Sequence, residues 1–290
     1  WPDSQRAASE VAALITSDAA LLARIVPDDL PSEPTARARR FIEVFGKRAF
    51  RRPLTGAELD RYAGLFARGQ ELDEGEEPEA DAFVAGVRIV IESLLQSPFF
   101  LYRVELGAGP ADADGLIPLT SWEIAAKLSY ALWDTMPDAD LIAAAERDEL
   151  TSPQAVAVQV DRLLAAPRSR AAFVSFVDQL FRAREFEQVI KNPISYPEWS
   201  QQTGIDARRE LAAFTEHVLI DQRGGIAELL LSRTSFVNQR LADIYGLEGT
   251  FPESELVQVT LPENRAGLLT LAGFLSWKGT DSTAPDSILR

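Results

Sequence analysis

His217 is the single histidine of this 290-residue chain and the only side chain whose ordinary titration falls near neutral pH. A helical run over 205–220 and its continuation put Asp206, Glu210, His217 and Asp221 within a stripe of about 60° on one face, beside Phe214. A Glu/His/Asp row could hold a metal ion, or could work as a His–Asp acid/base pair one turn apart. Glu210 and His217 lie roughly 10 Å apart along the axis at about 1.5 Å per residue, so one ion cannot bridge the whole row. The catalytic candidates are therefore His217, Asp221 and Glu210, and the metal candidates His217 and Asp221. The competing reading is a solvated face with a weak i,i+4 contact between His217 and Asp221. A Ser–His–Asp triad would have to use His217, with Ser235 or Ser276 brought to it by folding. No GxSxG elbow, P-loop, HExxH or GxGxxG motif supports an enzyme class directly.

Arg40, Arg48, Arg51 and Arg52 belong to a basic island over 37–52 in an otherwise acidic chain. Guanidinium forks match carboxylates and phosphates, so this is a candidate site for an anion or an acidic partner. Pairing with the chain's own acids is the competing expectation. Trp199 and Tyr196, in the proline-broken stretch 192–199, could form a glycan-binding surface. Met136 and His217 could in principle be axial haem ligands, but Met136 beside Pro137 reads more simply as core filler. Asp112, Asp114 and Gly115 resemble half of a calcium loop that lacks its closing Glu.

The elements that must position these residues are helices. Thr120 with Glu123 forms a capping box, and Trp122, Ile124, Ala125, Leu128, Leu132 and Trp133 follow at helical spacing, up to a turn at Pro137. That corner is expected to bury both tryptophans. Thr55 with Glu58 caps another helix, and 83–95 carries an unbroken 3-and-4 apolar stripe. Single helices are expected over 4–25, 36–50, 168–189, 235–245 and 265–277, with Gly246 stopping the fourth. Only 256–261 alternates like a strand. The fold class is all-α, an irregular multi-helix globular array with at most one short β-pair near 256–261. Composition breaks suggest an N-terminal helical subdomain at 1–106, a central one at 119–200 and a C-terminal one at 201–290. The charge-dense stretch 71–81 reads as a solvated linker.

Composition narrows the company. A net charge of −15 argues against nucleic acid as a partner. No apolar run approaches the roughly 18 residues needed to span a bilayer. The absence of cysteine excludes disulfides, thiol catalysis and covalent c-type haem within this sequence, so no cofactor is expected in the chain itself. Zero cysteines and one methionine fit an extracytoplasmic protein exposed to oxidants, although a GC-rich genome gives the same composition. Trp1 precedes the sole methionine, Met136, so a piece of a longer polypeptide is expected, and an outer-membrane anchor could lie in a missing N-terminus.

Several strings, in order, carry a resemblance: FGKRAFRRPLTGAE at 45–58, QSPFFLYRVE at 96–105, KLSYALWDTMPDADLIAAA at 127–145, EHVL at 216–219, TSFVNQRLADIYGL at 234–247 and NRAGLLTLAGFL at 264–275. The sequence is similar over about 36–290 to the large secreted multidomain proteins of planctomycetes and myxobacteria, built from adjacent conserved domains of unassigned function. Ala131, Leu180 and the spacing from Ala284–Pro285 to Arg290 depart from that pattern. The resemblance implies an extracytoplasmic setting, periplasmic or secreted, and the company of a c-type cytochrome domain whose haem lies in a missing domain or partner. It carries over no catalytic residues. The leading expectation is a helical scaffold or interaction module that contacts other domains or chains of its parent protein. The alternatives are an extracellular hydrolase, oxidoreductase or metal domain around His217, and a glycan-binding module.

Overall fold

The computed structural model describes residues 2–71 and 78–277, and most of the stretch read as an acidic linker, with all of 278–290, lies outside them. The chain divides into two compact units, Trp1–Arg162 and Leu163–Arg290. The loops near 107–118 and 200 that suggested boundaries each lie inside a unit, and the division falls within a helix.

In the first unit, α1 (Pro2–Ser17) and α2 (Ala19–Ala23) replace the single helix expected over 4–25. Asp18 explains the break, because its carboxylate accepts from the Ala20 and Leu21 amides and starts a new helix. Helices α3 (Pro34–Phe50), α4 (Gly56–Glu71) and α5 (Pro78–Leu95) follow. Phe41, Phe66 and Phe83 meet at their centre, with ring centroids 5.4 to 6.5 Å apart, over fully buried Ile42, Val87, Val90, Ile91 and Leu94. Such pairs add directional contacts to burial worth roughly 2 kcal/mol per large side chain. The close approach of α4 to α5 depends on Gly69, where a Cβ would fall 2.8 Å from the Ala85 carbonyl oxygen.

Ser97 and Pro98 open only one turn, α6 (Pro98–Leu101). Past the 102–118 loop come α7 (Ser121–Trp133), α8 (Ala139–Glu146) and α9 (Pro153–Ala165). The capping box of α7 is present, and Glu123 also accepts the Leu106 and Gly107 amides at 2.7 and 3.0 Å. Asp138 caps α8 and receives a bidentate Arg162 at 2.7 and 3.0 Å, with that guanidinium over the Trp133 ring. Of the two tryptophans expected in this core only Trp133 is buried, while Trp122 is half-exposed on a cleft.

The second unit contains α10 (Pro167–Leu180), a 3-10 turn at Ala183–Gln188, α11 (Gln201–Glu216), α12 (Ile226–Leu231), α13 (Gln239–Tyr245) and α14 (Ala272–Trp277). Two strands interrupt them, β1 (Thr234–Val237) and β2 (Val257–Thr260), antiparallel with Thr234 opposite Thr260. The expected helix over 235–245 is thus a strand followed by a helix. Asn238 separates them, its side chain accepting from the Leu241 amide as an N-cap. The stretch 265–277 likewise divides, into a 3-10 turn and α14. Phe186, Leu211, Phe214, Val218, Val237, Leu241 and Phe274 form the core. A Cβ at Gly204 would overlap the Phe186 carbonyl oxygen, so α11 can lie against the 3-10 turn only with glycine there. Among the described residues, these two strands are the only departure from an all-α fold, and no helix is long and apolar enough to cross a membrane.

Candidate functional site

The stripe expected on α11 exists, but it is solvated only at its Asp221 end. Asp206 and Glu210 are fully buried because β1 and α13 lie over them. Glu210 accepts from the Ser235 hydroxyl at 2.6 Å and from the Tyr245 hydroxyl at 2.8 and 3.0 Å. The Tyr245 oxygen in turn accepts from the Ala272 amide at 2.7 Å. Burial pushes the Glu210 carboxyl up to about 7 against the opposing pull of Ser235, Tyr245 and Arg265, and burial also drives the Tyr245 phenol well above its ordinary value.

One turn earlier, Asp206 is treated differently. It accepts from Asn238 at 2.8 Å and from Arg240 at 2.7 Å, with Arg209 at 3.2 Å. Burial raises its pKa, but Asn238 and Arg240 outweigh that and hold it below the ordinary carboxylate range. Two carboxylates one turn apart, pushed in opposite directions, resemble an acid and base in their proton affinities. Neither has access to solvent, and together they lock α11 to β1, α13 and α14.

His217 lies where α11 widens into a π turn, His217–Asp221, marked by the Gln222 amide donating to the His217 carbonyl at 2.9 Å. Its Nδ1 is 3.7 Å from Asp221, its Nε2 is 3.0 Å from the Gln222 side-chain Nε2, and its ring meets the Phe236 ring edge-on. The expected His217–Asp221 contact is therefore present. Arg170 holds Asp221 and Glu216, both at 2.9 Å. Ser235 is committed to Glu210. No group of three His, Cys, Asp or Glu side chains is placed to hold a metal ion among the described residues.

What this unit does offer a ligand is a cleft of about 380 Å³ above the Glu210 lock. Trp199 and Tyr196, from the irregular 192–199 stretch, line it, and the Trp199 indole is fixed by donating to the Val189 carbonyl at 3.1 Å. Arg265, Asp243, Glu198 and Lys191 bring charge to it, and Ile244, Ala272, Leu275 and Ser276 complete it. The Arg265 guanidinium lies 4.9 Å over the Tyr245 ring and donates to the Thr270 carbonyl at 3.0 Å. Sequence reasoning found the two aromatics but missed Arg265 and Tyr245, which no local motif marks.

In the first unit, the basic island is mostly paired within the fold. Arg40 pairs with Asp29 at 2.6 Å, and Arg52 forks onto Glu58 at 2.8 and 2.9 Å while lying over the Phe99 ring. That fork and the Thr55 amide hold Glu58 down at about 2 against the effect of burial. Arg51, buried in a left-handed conformation at φ 57°, donates to the Phe99, Phe100 and Tyr102 carbonyls. Arg48 is exposed. A second cleft of about 390 Å³ opens beside Arg52, Phe99, Val104, Leu106 and Trp122.

The geometry defines an all-α protein with polar locks in each unit, a cleft beside Trp199 in the second and a cleft beside Trp122 in the first. Residues 37–105 match the family model described as PSD5, protein of unknown function (DUF1595). Residues 119–247 match that described as PSD4, protein of unknown function (DUF1592). The chain thus carries two adjacent segments similar to conserved domains. No curated protein and no solved structure matches it.

Proposed function

We propose that this chain is a helical interaction module of a larger extracytoplasmic protein, and that its first unit docks another domain of that parent. The observation that carries the reading is an exposed apolar run where the two family matches meet. Tyr102, Leu106 and Leu116 are 65, 73 and 65% exposed, and Phe99, Phe100, Leu101, Val104 and Ile117 are exposed with them. Contiguous apolar surface of this kind is a marker of partner contact. The residues on which an enzyme reading rested support the module reading instead, since Glu210 is sealed and Asp221 is held by Arg170.

Lack of cysteine supports a setting outside the cytoplasm. It also means that these residues do not fit a covalent c-type haem, so any such group belongs to a neighbouring domain or partner. Hydrogen exchange tests the docking. Amides of 99–106 should exchange more slowly in the full-length natural polypeptide than in this chain alone. Equal exchange in both would overturn the assignment. An absorbance spectrum of the same full-length protein tests the haem company.

A further inference from the structure

The second unit's cleft combines features that an interaction scaffold does not need. Its aromatic wall is held rigid, because the Trp199 indole N–H is tied to the Val189 carbonyl. Its cation is held as firmly. Arg265 rests on the Tyr245 ring and gives one N–H to the Thr270 carbonyl, and it forms no ion pair among the described residues. Arg40, Arg52, Arg162, Arg170, Arg208 and Arg240 sit on carboxylates, whereas Arg265, like Arg51 and Arg233, gives its N–H to a backbone carbonyl, and of these three it is the one that lines the second unit's cleft. The remaining guanidinium N–H groups form a fork suited to a carboxylate. Asp243 and Glu198 line the same cleft as hydrogen-bond acceptors.

We infer that this cleft binds an acidic sugar unit, a pyranose ring bearing a carboxylate, such as a uronic acid within a polysaccharide. The carboxylate would meet Arg265, the ring hydroxyls would donate to Asp243 and Glu198, and the flat apolar face of the ring would lie on Trp199 and Tyr196. Such side chains present an apolar body with a polar edge, matching a ring that is apolar on its face and polar at its rim. The two acids weigh against a phosphate or another multiply charged anion, since like charges would meet. The Arg265 guanidinium weighs against a purely apolar ligand, since desolvating its remaining N–H groups would go uncompensated. A volume of about 380 Å³ suits a small ligand or one or two sugar units of a chain.

The test is a calorimetric titration of the whole chain with oligogalacturonate, with a neutral galactose oligomer of the same length, and with benzoate, alongside tryptophan fluorescence. The acidic oligomer should bind saturably and at least about tenfold more tightly than the neutral one, the size of one charge-assisted pair. Arg265→Gln should erase that preference, and Ser276→Trp, which adds bulk at a lining position, should abolish binding while far-ultraviolet circular dichroism stays unchanged. Trp199→Ala should abolish it as well. If Trp199→Ala fails to fold, the other two variants still decide. Absence of saturable binding, equal affinity for the neutral oligomer, equally tight binding of benzoate, or binding retained in Ser276→Trp would overturn the assignment.

Discussion

The Tyr245 hydroxyl donates to the Glu210 carboxylate at 2.8 Å while its oxygen accepts the first backbone amide of α14, so one phenol fastens two helices to a buried acid. Burial favours the protonated form of Glu210 by more than the Ser235 and Tyr245 donors favour the carboxylate, which gives the fold a dependence on pH.

The Glu210 carboxyl is raised from 4.5 to about 7 in the folded chain, so between those values the folded state binds more protons than the unfolded one. Its contribution is fully favourable below pH 4.5, declines as pH rises, and is lost above 7. The loss is on the order of 3 kcal/mol. Glu210→Gln should therefore leave the melting temperature at pH 4 nearly unchanged and raise it at pH 8. A variant less stable than wild type at pH 8 would contradict this. Glu58 acts oppositely, since its lowered value contributes stability that disappears as pH falls from 4.5 to about 2.

Arg51 and Arg48 belong to the same basic island but should behave differently. Arg51→Ala strips three carbonyls of a charged donor and should cost about 2 to 4 kcal/mol in urea denaturation. Arg48→Ala should stay within about 0.5 kcal/mol. Equal effects would mean that Arg51 is not a structural clamp.

Two glycines make a matched pair. Gly204→Ala should destabilise by about 1 to 3 kcal/mol, because the added methyl meets the Phe186 carbonyl. Gly64→Ala, exposed on α4 with nothing within 4 Å of the new Cβ, should stabilise by about 0.5 to 1 kcal/mol. Thermal unfolding of the two variants measures both signs.

Much of the helical framework was legible because its signals are local. Thr120 with Glu123, Thr55 with Glu58 and Asp138 at the head of α8 each satisfy amides within three residues, so the pattern is complete in the sequence. The strand at Thr234–Val237 was not, because four residues followed by a helical pattern look helical until β2 is seen alongside them. The α11 stripe was found by periodicity, but its burial depended on strands and helices about 25 to 35 positions later, which periodicity does not report. Arg265 was invisible for the same reason: its partners, the Tyr245 ring and the Thr270 carbonyl, are set by folding.

One carboxylate, Glu123, receives the amides of Leu106 and Gly107 from one end of the 102–118 loop and the amide and hydroxyl of Thr120 from the other. The Ala108 amide closes the same neck by donating to the Pro118 carbonyl. With both ends tied at a single point, the intervening stretch hangs from the helices like a bight of rope. Its length is free to change without pulling on either anchor, and extra residues inserted near Gly109 to Gly115 should be carried as a longer bight while α7 stays capped.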